Sequence, residues 1–236
     1  MELLKVDIRH AGYSKNNSVI GDISFSLCQG DLVGLIGPNG AGKSTAIKAI
    51  LQLLPYMEGE ILFCGERRKY AYITEQPVFY EELSLWEHLE LAAAAYALPG
   101  DKFVQKAEEL LTLFHLQKVK HNLPVSFSKG MQQKVMLILG FLIDPDVFIV
   151  DEPFVGLDPR ATKDFLALLD LARKQGAGVL MSTHVLDTAE RICNSFVLLA
   201  DGKSVSQGSL EQIRLECGLP GASLFDCFDH LLGYAE

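Results

Sequence analysis

The sequence predicts an α/β fold, and three features carry that prediction. A glycine-rich loop, 37–42, lies between a short apolar segment, 32–36, and a stretch with the pattern of a helix. The runs 147–150 and 178–182 are mostly apolar, as in strands buried on both faces of a parallel sheet. Residues 77–143 show only helical patterns. We therefore expect an α/β core that carries an all-helical insertion.

Strands near the N-terminus are predicted from alternating polarity. Residues 3–9 alternate, Gly12 is expected to break that strand, and residues 23–27 alternate again. A further strand is predicted over 60–65. These short segments predict a small antiparallel sheet that flanks the core.

Tyr13 is placed by the sequence in a polar loop, 12–17. An exposed aromatic ring there could stack on a flat base, or it could be an ordinary surface tyrosine. The local sequence favours neither alternative.

Three helices are predicted within the insertion. The first spans 84–98, and Ser84 with Glu87 has the pattern of a capping box. The second spans 102–116, with apolar residues on one face. The third spans 129–143 and is mostly apolar, which predicts a buried helix.

The remainder of the chain returns to mixed strands and helices. A helix is predicted over 160–175, and a hairpin over 196–207 turns at Asp201-Gly202. A further helix follows the capping pattern of Ser209 and Gln212. No pattern assigns structure to the last residues, 217–236.

Composition excludes several classes of protein. The net charge of −9 and the pI of 5.2 argue against sequence-independent nucleic-acid binding, which needs a basic surface. The longest near-apolar run, 135–143, is far shorter than the ~20 residues that cross a bilayer. The N-terminal residues lack the pattern of a signal peptide. We therefore expect a cytoplasmic protein, whose mean hydropathy of +0.19 suggests an apolar surface for a partner.

The five cysteines are odd in number and scattered along the chain. None forms a Cys-x-x-Cys pair, which argues against a metal site. Free thiols in a reducing compartment are the expectation.

The glycine-rich loop has the spacing of a phosphate-binding loop, Gly-x-x-x-x-Gly-Lys-[Ser/Thr]. Its glycines allow backbone N–H groups to converge on anionic oxygens, and the helix that follows adds a partial positive charge. Lys43 is expected to reach the β- and γ-phosphates and Ser44 to hold Mg²⁺. The alternative, an ordinary glycine-rich turn, does not explain the flanking strand and helix. The residues expected to bind a nucleotide are Gly37, Pro38, Asn39, Gly40, Ala41, Gly42, Lys43, Ser44 and Thr45.

Two acids end the apolar run 147–150. Asp151 and Glu152 would face the crevice at the carboxyl edge of a parallel sheet. There Asp151 would support Mg²⁺, and Glu152 would polarise a water for attack on the γ-phosphate. His184 directly follows another strand and is expected to contact the γ-phosphate in the same crevice. The plainer alternatives are solvated acids at a strand end and a structural histidine.

A polar loop opens the third predicted helix. Ser128 and Gly130 together with a helix N-terminus would suit an anion. Taken alone, this pattern is typical of any capped helix.

In this order the motifs resemble those of the ATP-binding subunit of an ABC transporter, over about residues 3–215. The matches are Walker A at 37–45, Walker B at 147–152 with catalytic Glu152, the D-loop at 156–158 with Asp158, the switch histidine His184, the Q-loop glutamine Gln76, the A-loop aromatic Tyr13, and the signature at 127–131. The resemblance implies a P-loop NTPase (RecA-like) core with a flanking antiparallel β subdomain and an inserted all-helical subdomain. Its expected division is a core of 1–76 and 144–215, a helical subdomain of 77–143, and a C-terminal tail of 216–236, all within one ABC ATPase domain.

The signature departs from the Leu-Ser-Gly-Gly-Gln of the family. Ser128 and Gly130 are kept, but Lys129 replaces the first glycine and Met131 replaces the glutamine. In the family this motif acts on ATP held by a partner subunit. The variant resembles the signature of the Ecs-like group of bacterial subunits. Loss of activity does not follow, because the motifs on the ATP side are intact.

The resemblance implies an Mg-dependent ATPase that uses ATP and Mg²⁺, with Gln76 joining Ser44 and Asp151 around the metal. It also implies a transmembrane permease, a second ATP-binding subunit in a homo- or heterodimer, and a peripheral position on the cytoplasmic face of the membrane. Two other classes stay open: a soluble ABC-type ATPase acting on nucleic acid or the ribosome, and a small-molecule phosphotransferase. The compact stretch between Gln76 and Ser128 and the acidic balance disfavour the first.

Overall fold

A computed structural model describes residues 1–15, 17–66 and 69–233. In these ranges the strands are β1 (Glu2–Ser14), β2 (Asn17–Cys28), β3 (Leu32–Ile36), β4 (Tyr56–Phe63), β5 (Tyr70–Ile73), β6 (Val147–Asp151), β7 (Gly178–Thr183), β8 (Ser195–Ala200) and β9 (Lys203–Gly208). The α-helices are α1 (Lys43–Ile50), α2 (Leu85–Ala95), α3 (Gly100–Leu113), α4 (Lys129–Leu142), α5 (Pro159–Lys174), α6 (Leu186–Ile192), α7 (Leu210–Cys217) and α8 (Leu224–Leu231). Together they confirm the predicted α/β fold.

All nine of these strands form one sheet, in the order β4-β1-β2-β9-β8-β3-β7-β6-β5. The segment β8-β3-β7-β6-β5 is parallel throughout. Every residue of β3, β6 and β7 is buried, because helices cover both faces of this part of the sheet. The predicted apolar strands are therefore confirmed, and their carboxyl ends lie along one edge.

The antiparallel strands form the other end of the same sheet. β1 lies between β2 and β4. β2 pairs in parallel with β9 at Gly21 and Lys203, and β9 in turn lies antiparallel to β8. The predicted strand break at Gly12 is wrong, because β1 continues to Ser14 and a register shift between Ala11 and Gly12 absorbs the irregularity. Tyr13 therefore lies at the end of a strand rather than in a loop.

The helices α2, α3 and α4 form a layer beside β5. The apolar face predicted for the second helix is wholly buried: Phe103, Ala107, Leu110, Leu111 and Phe114. The capping box at the start of α2 is confirmed, since Ser84 Oγ accepts from the Glu87 amide and the Glu87 carboxylate accepts from the Ser84 amide. α2 ends at Ala95, earlier than predicted, and Ala97 then adopts a positive φ of 52°. Within the described ranges, no helix is both long enough and apolar enough to span a bilayer.

The C-terminal residues contain a helix that the sequence pattern did not predict. In α8, Ser223 and Asp226 form a capping box, and Leu224, Cys227 and Phe228 are buried. They pack in a small core that includes Ile36 at the end of β3. A signal was present in the sequence, since Ser223 is followed three residues later by Asp226, but the prediction did not use it.

Candidate nucleotide site

The loop 37–42 follows β3 and leads into α1 at Lys43. Gly40 and Gly42 adopt φ values of 86° and 99°, a region that favours glycine. A side chain at Gly42 would also lie 2.6 Å from Ile20 Cγ2, and one at Gly37 would lie 2.5 Å from the Leu199 carbonyl oxygen. The backbone curl and the close neighbours therefore require glycine at these positions.

The loop also holds the side chain of Lys43, which is buried and only 7% exposed. Its Nζ donates to the carbonyl oxygens of Gly37 at 2.8 Å and Pro38 at 3.2 Å. It also lies 3.6 Å from Glu152 Oε1, across from the end of β6. A buried ammonium is costly unless it is paired, so these contacts fix a cation at the mouth of the loop.

The loop itself is open to a ligand. Pro38, Asn39 and Gly40 are exposed, while Ser44 and Thr45 are half-buried in the first turn of α1. The helix N-terminus therefore presents its free N–H groups and the Ser44 hydroxyl beside the Lys43 ammonium.

Asp151 ends β6 and is almost completely buried. It pairs in register with Ser182 of the neighbouring β7, and Ser182 Oγ donates a hydrogen bond to Asp151 Oδ1. Ser182 is fully buried and also accepts from the Glu152 amide at 3.1 Å. One hydroxyl thus orients both acidic residues.

Glu152 has an unusual backbone conformation, with φ of 47°. Such a conformation is strained for a residue other than glycine and is common at functional sites. It directs the carboxylate back over the loop, where Oε1 lies 2.9 Å from His184 Nδ1 as well as close to Lys43. Glu152 thus connects three parts of the site: it follows β6, it contacts Lys43 of the loop, and it contacts His184 after β7.

Tyr72, on the strand next to β6, stays protonated in this environment. Burial raises its pKa to about 12, and the charges of Asp151 and Glu75 act in the same direction.

The signature loop contacts the D-loop of the same chain. Ser128 caps α4 by accepting from the Met131 amide, and Gly130 packs so closely on Gly156 that a Cβ atom would lie 2.6 Å from the Gly156 carbonyl oxygen. Lys134 pairs with Asp158 at 2.7 Å. That hydrogen bond, reinforced by one from the Ala161 amide, lowers the pKa of Asp158 to about 2.

The predicted site residues fall into separate groups. The loop, Lys43, Asp151, Glu152 and His184 form one connected cluster. In the described ranges Tyr13 and Gln76 make no hydrogen bond or ion pair with it, and both are exposed. The signature residues Ser128, Lys129, Gly130 and Met131 lie at the start of α4, where Gly130 packs against Gly156 of the D-loop.

Gln76 lies in a loop that is tied to α4. Thr74 Oγ1 donates to the Gln76 carbonyl oxygen at 2.7 Å, and the buried Gln133 donates from Nε2 to the Thr74 carbonyl oxygen at 3.4 Å. The helix that begins with the signature is thus bonded to the strand end that precedes Gln76.

Sequence reasoning missed Ser182, Gln133 and Lys134. The available signal for Ser182 was that it is a polar residue at the end of an apolar run. Only the structure places it beside Asp151. Gln133 and Lys134 gave no such signal, because their roles depend on contacts with other elements.

The donor set suits a magnesium nucleotide. Mg²⁺ prefers oxygen ligands, and a hydroxyl at a phosphate loop together with a buried carboxylate supplies them. The neighbouring lysine and helix N-terminus favour phosphate oxygens. Ser44 and Asp151 are residues of the site that carry such oxygens.

Comparison with known proteins agrees with this geometry. The family model described as ABC transporter matches residues 20–155. The uncharacterized ABC transporter ATP-binding protein YthP of Bacillus subtilis (strain 168) is 50% identical over 96% of this chain and 95% of its own length. The ABC-type transporter ATP-binding protein EcsA of the same organism is 44% identical, over 97% of this chain and 96% of its own length, in agreement with the Ecs-like signature.

A solved ATP-binding subunit of an ABC transporter superposes with a TM-score of 0.92 at 44% identity, covering 98% of this chain and 99% of that one. The agreement extends over the core, the antiparallel strands and the helical layer alike, since nearly all of both chains is aligned. The chain belongs to the ABC transporter family, as an ATP-binding and ATP-hydrolysing subunit.

Proposed function

We propose that Glu152 is the general base for ATP hydrolysis and that His184 and Lys43 hold it in place. The contacts of its carboxylate with His184 at 2.9 Å and Lys43 at 3.6 Å are the observation that carries this proposal. A base that polarises a water must be oriented by fixed neighbours. When ATP binds, the Lys43 ammonium turns to the phosphates, and Glu152 retains His184 as its orienting partner.

The other ATP contacts are proposed from the same geometry. The loop 37–42 and the first turn of α1, with Ser44 and Thr45, would cradle the phosphates through their N–H groups. Tyr13, 54% exposed at the end of β1, would stack on the base. Its exposure at the end of the strand supports this role.

Ser44, Asp151 and Gln76 would hold Mg²⁺. The ion would neutralise phosphate charge when it is bound. Ser182 keeps the Asp151 carboxylate in position through its hydrogen bond. Gln76 is exposed and would turn inward to join the metal.

We further propose that two subunits enclose two ATP molecules, each signature facing the ATP of the partner. The start of α4 is accessible to a partner. Ser128 and Lys129 are exposed there, and the next two residues, Gly130 and Met131, are half-buried. The Lys129 ammonium would contact the γ-phosphate held by the partner, where the family has glycine. The Lys134–Asp158 pair would keep the signature and D-loop moving as one body.

A transmembrane permease is the proposed second partner. Val78 is 77% exposed and Tyr80 is 63% exposed, in the loop that directly follows Gln76. An exposed apolar segment of this kind is typical of an interaction surface. Residues 77–80 and the start of α2 would dock this partner on the cytoplasmic face of the membrane. They belong to the proposed helical subdomain of 77–143, which is carried by the nucleotide core of 1–76 and 144–215.

The variant Glu152→Gln tests the base. It should bind ATP with unchanged affinity, hydrolyse it about 10²-fold more slowly, and accumulate an ATP-dependent dimer that light scattering detects. Glu60→Gln, which changes an exposed acid of β4, is the matched control and should hydrolyse ATP normally. Near-normal turnover of Glu152→Gln would contradict the assignment.

Purification of the chain from membranes tests the partner. A multi-spanning membrane protein that co-purifies with the wild type and is released by detergent and salt would support transport. Co-purification of ribosomes or nucleic acid in its place would favour the soluble alternative.

A further inference from the structure

The segment 77–80 has neither helix nor strand, yet one of its amides is firmly held. Within the described ranges, the Tyr80 amide is the one amide of this segment that makes a hydrogen bond, and its acceptor is Nε2 of His88 at 3.0 Å. Pro77 has no amide hydrogen to donate. The conformation of the exposed segment therefore depends on a side chain of α2.

His88 is well suited to this role because its tautomer is fixed. The side chain is almost fully buried, and Nδ1 lies 2.8 Å from the carbonyl oxygen of Ser84. A carbonyl oxygen only accepts, so Nδ1 carries the ring hydrogen and Nε2 is left as a bare acceptor. That is the form that the Tyr80 amide requires.

The imidazole also supports the two aromatic side chains of the segment. The Phe79 ring meets it edge-on with centroids 5.5 Å apart, and the Tyr80 ring lies 6.0 Å away. Its own position is fixed one turn after the capping box of Ser84 and Glu87. His88 is thus held by the capped start of α2, and its imidazole in turn fixes the conformation of segment 77–80.

We propose that His88 is a positioning residue that holds segment 77–80 in the conformation that docks an apolar surface of the transmembrane partner. This inference rests on the proposed function, in which 77–80 faces that partner. His88 acts through the Tyr80 amide and the rings of Phe79 and Tyr80. It leaves Val78 and Tyr80 exposed to make the contact.

Amide hydrogen exchange of the isolated wild-type chain and two variants tests the proposal. In His88→Leu the Tyr80 amide loses its acceptor, so its exchange should accelerate about tenfold, the scale of one lost hydrogen bond. In His88→Gln the side-chain oxygen lies near the position of Nε2 and should restore slow exchange. His115→Asn, at an exposed histidine in the same helical layer, is the control and should leave Tyr80 unchanged.

The same variants distinguish positioning from general stability. Faster exchange confined to 77–80, restored by glutamine and accompanied by weaker co-purification of the membrane partner in His88→Leu, supports the inference. Unchanged exchange at Tyr80, or faster exchange spread evenly over 77–143, would overturn it. If the exchange results are as expected but no membrane protein co-purifies with the wild type, the proposed partner is wrong, and the docking role of His88 fails with it.

Discussion

The Ser182→Ala substitution removes a hydroxyl that organises both acidic residues of the site. Ser182 is fully buried, donates to Asp151 Oδ1 and accepts from the Glu152 amide. Alanine fills nearly the same space, so the loss of hydrogen bonding dominates over any cavity. A hydrogen bond to a charged group contributes roughly 1.5–3 kcal/mol, and we expect a loss of about 2 kcal/mol in the free energy of unfolding.

For a domain of this size, that loss corresponds to a fall in Tm of roughly 4–8 °C in thermal unfolding followed by circular dichroism. The Glu152 amide keeps its bond to the Ser182 carbonyl oxygen at 3.2 Å, so the strand itself should survive. Because Asp151 is released from its anchor, the Mg²⁺ concentration for half-maximal ATPase activity should also rise.

The matched control is Ser204→Ala, a half-buried serine of β9 whose hydroxyl makes no hydrogen bond to another described residue. It should change Tm by less than about 2 °C. If Ser182→Ala unfolded at the wild-type temperature and needed no more Mg²⁺, the role assigned to this hydroxyl would be refuted.

Three further predictions concern lysines. Lys43→Ala should abolish detectable nucleotide binding in calorimetry, because it removes the buried cation of the phosphate loop. Lys129→Gly should weaken ATP-dependent dimerisation and make it less sensitive to salt, since an exposed ion contact is screened by salt. Lys134→Met should raise the pKa of Asp158 from about 2 toward its ordinary 3.8 in an NMR titration of that carboxyl.

The last prediction has a consequence for acid stability. The pKa of Asp158 is lowered in the folded chain, so its pair with Lys134 stabilises the fold above pH 3.8, and the stabilisation is lost as the pH falls toward 2. Lys134→Met should lack this acid-dependent part of the stability.

Results that would contradict these predictions are equally specific. Unchanged ATP affinity in Lys43→Ala would argue against the assignment of the loop. Dimerisation of Lys129→Gly that matched the wild type at every salt concentration would remove the proposed cross-dimer contact. An Asp158 titration that was insensitive to Lys134 would mean that capping of α5 alone sets its pKa.

Much of the site was predictable because its chemistry is local. Lys43 and Ser44 follow a glycine loop in sequence, and Asp151 and Glu152 end an apolar strand, so each pair is adjacent in the chain. His184 was placed beside them through the rule that parallel strands share one carboxyl edge. Its contact with Glu152 confirms the expected closeness.

The remainder depended on contacts between different elements of the fold. Ser182 acts because β7 lies next to β6 in register, and His88 acts because α2 packs against the segment that follows Gln76. The sequence around Ser182 or His88 does not indicate which group either side chain will contact. The same limit explains the error at Gly12, where pairing with β2 and β4 keeps the strand intact through a bulge.

By itself the sequence determined the phosphate loop, the acidic strand end and the alternation of strands and helices, because these depend on residues close together in the chain. Only the tertiary structure decided that the Glu152 carboxylate contacts both Lys43 and His184 directly, that the antiparallel strands extend the same sheet, and that His88 holds the Tyr80 amide. Hydrogen bonds and ion pairs act over a few ångströms, and the fold of the chain decides which polar atoms come within that range.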